Sequence, residues 1–336
     1  MILAGDVGGT KTRLGLFRPS PRSAGSDRPA QVLIREYGTL EFDSLDDVVS
    51  TFAEETNTTT LDAIAVGVAG PVTGQVARLT NVPWVADVGA VADRFGGCPA
   101  LLLNDLEAMG SSVAVLEPDE LATLQEGVAV PTGNGALIAA GTGLGEALLH
   151  NLNGQFLPAA SEGGHADFAP RTPRDLALVE ELTRIYGRVS NERVISGHGI
   201  VNLFRFTHAT QDVASACSIV RGTIDPVELP AHITASAMAR RCEQCVETLD
   251  MFVEAYGAES GNLALRTVAT GGVYIGGGIA PKILPALERG PFMDAFRGKE
   301  PMVDLLRTLP VQVILNPAAA LLGAAVRAAA LRPRRG

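Results

Sequence analysis

The stretch Gly5-Asp6-Val7-Gly8-Gly9-Thr10-Lys11-Thr12-Arg13-Leu14-Gly15-Leu16-Phe17 decides the fold. The apolar Ile2-Leu3-Ala4 before it reads as a strand running into the glycines. Glycines let backbone N–H donors approach a phosphate closely. A dinucleotide-binding turn would open a helix at once. Here the residues after the turn suit a second strand, so the motif is a strand–turn–strand hairpin. Nor is it a P-loop, because Lys11 follows Thr10 instead of preceding it. The design recurs at residues 137–149, LIAAGTGLGEALL, and a third cluster, Gly276-Gly277-Gly278, follows Val273-Tyr274-Ile275. Two hairpins of one design predict a duplicated α/β fold whose halves face each other across a nucleotide.

Around these turns, further strands are expected at residues 32–37, 63–68, 100–103 and 136–140. Helices are expected at 45–52, after Ser44 as N-cap, and at 106–116. Thr172-Pro173-Arg174-Asp175 offers a capping box, with proline in the first helical position. The helix it starts would bury Leu178, Leu182 and Ile185. A long helix is expected over 233–256, with Met238, Cys242, Cys245, Leu249, Phe252 and Tyr256 as one buried stripe. On that reading the Cys242–Cys245 CxxC pair is core. A zinc site would need about two more ligands, and Cys98 and Cys217 stand alone in the sequence.

The chain has 336 residues, which suits two domains. Its formal charge of -10 argues against nonspecific nucleic-acid binding, which neutralises phosphates with Lys and Arg. Four cysteines are too few for a disulfide scaffold of this size. Asp6 interrupts the opening apolar run before it could serve as a secretory signal. No run reaches the roughly 18 apolar residues of a membrane span. These features predict a cytoplasmic location, with neither nucleic acid nor membrane as partner.

Asn104-Asp105 ends the apolar run Ala100-Leu101-Leu102-Leu103, at the strand end where ligands gather in open α/β sheets. Asp105 can take a proton from an attacking hydroxyl, and Asn104 can bond neighbouring hydroxyls. The same pair could simply cap the next helix, and composition alone leaves both readings open. His165, in Glu162-Gly163-Gly164-His165, could be a base, a metal ligand or a sugar binder.

In order and spacing, GDVGGTKTRLGL (5–16), GVAGPVTG (67–74), LTNVPW (79–84), LNDLEA (103–108), GTGLG (141–145), EGGHADFAP (162–170), NERVISGHGIVNLFR (191–205) and GGGIAPK (276–282) resemble one family. It is the bacterial glucokinase family without structural zinc, in the actin/hexokinase/heat-shock ATPase superfamily. Zinc-containing sugar kinases of the repressor/kinase group carry cysteines after the corresponding histidine; here Asp167-Phe168-Ala169-Pro170 follows His165. The resemblance implies duplicated ribonuclease-H-like (actin-like ATPase) domains flanking a deep cleft. The small domain would be 1–105 with the helix 316–330, and the large one 106–315.

The same resemblance implies transfer of the γ-phosphoryl of ATP to the 6-hydroxyl of D-glucose, with Asp105 as base. Asn81, Asn104, Asp105, Glu162, His165 and Glu192 would hold the sugar, with His165 as a neutral donor. Gly5, Asp6, Val7, Gly8, Gly9, Thr10, Gly141, Thr142, Gly143, Gly276, Gly277 and Gly278 would line the nucleotide. Asp6 would orient Mg²⁺, structural zinc would be absent, and the enzyme would be a homodimer. The rival readings are a kinase for another hexose, polyphosphate as donor, and a noncatalytic sugar sensor.

Overall fold

The computed structural model describes residues 1–20, 28–79, 82–210, 217–222 and 224–332. Asn81 therefore lies outside the described residues. The framework is two mixed sheets built to one strand order. In the first, Ala30–Gly38, Lys11–Arg18, Ile2–Val7, Ala63–Val68 and Ala100–Asn104 lie side by side. The first three are antiparallel neighbours, and the last two run parallel to Ile2–Val7. In the second, Gln155–Ser161, Leu144–Leu152, Gly135–Ala140, Gly272–Gly276 and Val311–Ile314 repeat that order, and Leu121–Gln125 adds an antiparallel edge. Each Gly/Thr turn thus joins the central strand of its sheet to the same neighbour, antiparallel in both. The chain divides into two compact units: Met1–Glu120 with Gln155–Ala160 and Asn316–Gly336, and Leu121–Gly154 with Ser161–Leu315.

In the first unit the two-residue period of the strands sorts large side chains from small. Leu3, Ile64 and Val66 pack on one face with Leu45, Val48, Val49 and Phe52 of the helix Leu45–Thr56. Ile2, Ala4, Ala63 and Ala65 pack on the other with Leu321, Ala324, Ala325 and Ala328 of the helix Ala319–Leu331. Small residues let this last helix come down to backbone contact. A Cβ on Gly323 would fall 1.6 Å from the Ala108 carbonyl oxygen, on the helix Asp105–Ser112. Only glycine fits there.

Helix starts follow the expected capping chemistry. The Ser44 hydroxyl accepts from Asp47 N at 3.0 Å. Thr172 and Asp175 form the reciprocal box at the head of Pro173–Tyr186. Three expectations are corrected. The helix expected over 106–116 ends at Ser112 and continues as a short 3₁₀ turn. Leu178 and Leu182 are buried, but Ile185 is 59% exposed, because it lies in the last turn of its helix, beyond the cover the other two receive. The helix expected over 233–256 is two helices, Leu229–Met238 and Glu243–Thr267. Arg240, in the left-handed region at φ 52°, breaks the run. Cys242 stands at the N-cap position of the second helix and, with Met238, still packs against the core cluster of Cys245, Leu249, Phe252 and Tyr256, as the stripe predicts.

Candidate active site

In the first unit, the carboxyl edge of the sheet gathers the acidic candidates. The register pairs Asp6 with Gly67 and Gly67 with Leu103. Asp6 is therefore two strands, about 10 Å, from the strand that delivers Asn104 and Asp105. A side chain at Gly67 would close that space, its Cβ meeting Ala108 Cβ at 2.9 Å. Asp105 opens its helix, and its Oδ1 accepts from Leu106 N at 2.9 Å. Asn104 Oδ1 also accepts from Leu106 N at 2.9 Å, while Asn104 N donates to Glu107 Oε2 at 3.0 Å. Asn104 is thus a helix cap, and its Nδ2 donates to Gly70 O at 3.3 Å. The cap leaves Asp105 at the first position of its helix.

Asp6 is half-buried at its strand end. Burial raises its carboxyl above the ordinary value, and the Arg13 guanidinium opposes the rise. Arg13 faces Asp6 across the hairpin register but directs Nε to Glu36 Oε2 at 2.9 Å and one terminal nitrogen to Pro317 O at 2.8 Å. Lys11 also goes to Glu36, 2.5 Å from Oε1. The turn beyond Asp6 is braced by Thr39. Thr39 N donates to Thr10 O at 3.0 Å, and its hydroxyl donates to Gly8 O at 2.9 Å. Gly8 N closes the turn onto Lys11 O at 3.0 Å. Gly9 remains half-exposed and Thr10 exposed. A cavity of about 540 Å³, lined by Phe17, Arg28, Glu120 and Asn316 among others, lies at the opposite end of these strands and serves a different part of the unit.

In the second unit, Gly141 N donates to Gly143 O at 2.8 Å, and Gly197 N donates to Gly141 O at 2.8 Å. Thr142 at its tip is exposed. The third glycine cluster adjoins this turn because Ala139 pairs with Gly276 in the ladder. Gly277, at φ 83°, presses on Ala140, where a Cβ would meet the carbonyl oxygen at 2.3 Å. Gly278 is exposed, with open space around it. Below the turn, the fully buried Tyr256 hydroxyl accepts from Ala140 N at 3.2 Å and lies 3.3 Å from both Ile138 O and Gly276 O.

The polar candidates Glu162, His165 and Glu192 are drawn together by a backbone zipper. Phe168 N donates to Val189 O at 3.0 Å, and Asn191 N donates to Ala166 O at 2.9 Å. Arg188 reaches His165 O at 2.7 Å and Asp167 Oδ1 at 2.8 Å, so Asp167 supports the loop. Glu162 and His165 are exposed, with Oε2 and Nε2 3.8 Å apart. The glycines between them allow close approach to the turn strand: a Cβ on Gly164 would fall 2.0 Å from Leu144 O. Glu192 lies on the phosphate turn itself, its Oε2 accepting from Leu144 N at 3.0 Å.

Beneath this loop is a pair that the sequence pattern concealed. Glu146 is 1% exposed, and Glu259 accepts from Arg266 at 2.7 Å and from Asn262 at 2.8 Å. Burial and the neighbouring Glu259 raise the Glu146 carboxyl to about 7, against the pull of Arg266. Period-two alternation places Glu146 on a strand but does not show which remote charges will meet it. Thr39 and Tyr256 were likewise invisible as braces, since their partners are backbone groups far along the chain.

A family profile described as Glucokinase matches residues 3–331. The chain belongs to the glucokinase family. A glucokinase from Synechocystis sp. is 37% identical over 346 residues, covering 98% of each chain. One from Mesorhizobium japonicum is 35% identical over 327 residues, covering 97% of this chain and 91% of its own. Among solved structures, a glucokinase from an Antarctic psychrotroph superposes with a TM-score of 0.83 at 28% identity, covering 97% of this chain and 98% of that one. A glucokinase from Streptomyces griseus, solved with glucose and AMPPNP, matches at a TM-score of 0.64 and 20% identity, covering 97% and 98%. The fold is that of the two-domain actin-like ATPases. As a glucokinase-family enzyme the chain is a phosphotransferase with an alcohol group as acceptor.

Proposed function

We propose that the chain transfers the γ-phosphoryl group of ATP to the 6-hydroxyl of D-glucose, with Asp105 accepting the hydroxyl proton. The observation that carries this reading is the Glu192–Leu144 hydrogen bond, which holds a sugar-side carboxylate directly on a phosphate turn. Asp105 needs only to take a proton as the oxygen–phosphorus bond forms, because phosphoryl transfer depends mainly on positioning and charge. Asn104, fixed by its cap, keeps Asp105 at the helix mouth. Glu162, His165 and Glu192 accept or donate to the sugar hydroxyls. The backbone donors and hydroxyls of Gly8–Thr10 and Gly141–Gly143 take phosphate oxygens, and the open space at Gly278 admits the adenosine.

Asp6 fits a role toward Mg²⁺. Arg13, whose charge acts on Asp6, hydrogen-bonds Glu36 and Pro317 instead, and among the described residues no ion pair to Asp6 is seen. A magnesium ion held there would supply positive charge to the phosphates and keep part of its water shell. The family resemblance further supports a cytoplasmic homodimer acting in glycolysis. No helix among the described residues is long and apolar enough to cross a membrane.

The test is kcat/KM across glucose, fructose and mannose, each with ATP or polyphosphate as donor. Glucose with ATP is expected to lead by at least about tenfold, the scale of one mismatched hydrogen bond. Equal use of fructose sinks the sugar assignment, and preference for polyphosphate sinks the donor assignment.

A further inference from the structure

Four side chains outside the active site converge in the second unit. His208 Nε2 lies 3.5 Å from Cys242 Sγ, and Cys217 Sγ lies 4.0 Å from Cys245 Sγ. One ligand atom from each of the four lies within 4.8 Å of every other. All three cysteines are free thiols. A tetrahedral zinc ion with bonds of about 2.3 Å to sulfur and 2.0–2.1 Å to nitrogen spans about 3.8 Å between sulfurs and about 3.5 Å between sulfur and nitrogen. The Cys242–His208 and Cys217–Cys245 separations match those edges, and the other four lie within 4.8 Å. We propose that His208, Cys217, Cys242 and Cys245 form a closed, structural zinc site.

The surroundings support this beyond distance. His208 follows the helix Gly197–Thr207, and its Nδ1 lies 2.8 Å from Phe204 O. That carbonyl can only accept, so Nδ1 carries the proton and Nε2 presents a lone pair toward Cys242. Metal-bound imidazoles are usually oriented by such a second bond. Burial lowers the His208 pKa and so favours the neutral ring a metal requires. Cys242 is the N-cap of Glu243–Thr267, and Cys245 lies in its first turn. The break at Arg240 is what frees Cys242 to turn back toward His208. Cys217 is 2% exposed, Cys245 fully buried and His208 7% exposed, while Cys242 is half-buried, so three of the four ligands are shielded from solvent. Without a metal, burial holds the Cys245 thiol well above its ordinary range.

The site is separate from the zinc motif of the repressor/kinase group, whose cysteines follow the histidine equivalent to His165. Its role would be mechanical. It clasps the far end of the helix whose first residue, Gly197, bonds the second phosphate turn. On binding, the thiols release their protons to solvent and the ion takes three sulfurs and one nitrogen.

Full-length protein, purified under reducing conditions without chelator, is expected to carry about one zinc per chain, the stoichiometry of a four-ligand site. Metal-stripped protein should take up Co²⁺ with a thiolate-to-cobalt charge-transfer band and the visible spectrum of a tetrahedral centre. Cys242→Ser and His208→Ala should each lower retained zinc at least about tenfold, the loss expected when a ligand is removed, while Cys98→Ser retains it. Should those variants fail to fold, competition of the wild-type chain against a colorimetric zinc chelator decides alone. A folded, reduced wild-type chain that leaves Zn²⁺ with the chelator overturns the site. So does a Cys217–Cys245 disulfide in the freshly purified protein, seen as the loss of two hydrogens by mass.

Discussion

The two phosphate turns have the same strand order and nearly the same residues, but they are supported in different ways. The turn at Gly8–Thr10 is held from inside its own sheet, by Thr39 at the end of the neighbouring strand and by closure onto Lys11. Its counterpart at Gly141–Gly143 is held by residues some 20 to 55 positions later: Gly164, Glu192 and Gly197. Those segments also carry the proposed sugar ligands Glu162, His165 and Glu192. Duplication reproduced the turn but not its bracing. The first turn is braced within its own sheet, and the second is tied to the loops that carry the candidate sugar ligands Glu162, His165 and Glu192.

The comparison can be broken at several points. Asp105→Ala should leave glucose binding in place and lower kcat by about 10²–10⁴, the range for a lost general base. Stopped-time assays of purified, folded variant check this, and near-normal turnover would refute the assignment. Next in size is a pH effect beneath the second turn. The Glu146 carboxyl is raised from 4.5 to about 7 in the folded chain. Its contribution is therefore fully present below pH 4.5 and lost as pH rises through about 7. The loss is on the order of 3 kcal/mol. Glu146→Gln should remove this term, so its stability relative to wild type should improve from pH 5 to pH 8 in urea titrations. A parallel response of the two proteins would exclude a raised Glu146 carboxyl in the folded chain.

Gly164→Ala should cost about 1–3 kcal/mol through overpacking against Leu144 and raise the glucose KM. Gly8→Ala, whose Cβ would lie 3.3 Å from Lys11 O, should cost less. Comparable losses at both positions, by thermal unfolding, would erase the contrast. Smallest is Thr39→Val, expected to cost about 1 kcal/mol for the lost hydrogen bonds. It should raise the KM for ATP and leave that for glucose unchanged. A change in both would show that the first turn is not self-contained.

Both turns were legible because strand periodicity and glycine placement are local signals. The helix over 233–256 was misjudged because its break is made by Arg240, a residue with no local tendency to break a helix. Cys242 does pack against the cluster of Leu249 and Phe252, but its approach to His208, from a separate helix, was not legible in the local pattern. Asn104 carried two readings in sequence; the structure shows the cap, which is compatible with the proposed contact to the sugar. Glu146 looked like one residue of an outgoing strand, because its partner Glu259 is more than a hundred residues away. Local pattern reports which side a residue faces, whereas remote sequence decides what it meets there.

The contact between Gly323 and Ala108 also sets an order of events during synthesis. The helix that bears Asp105 leaves the ribosome early, followed by the whole span Leu121–Gly154 and Ser161–Leu315 before its neighbour Ala319–Leu331 exists. Until then the alanine face of the first sheet has nothing to rest on. The seat of the proposed base Asp105 is therefore complete only once Ala319–Leu331 has been made, so a chain halted short of that helix is expected to lack phosphoryl transfer.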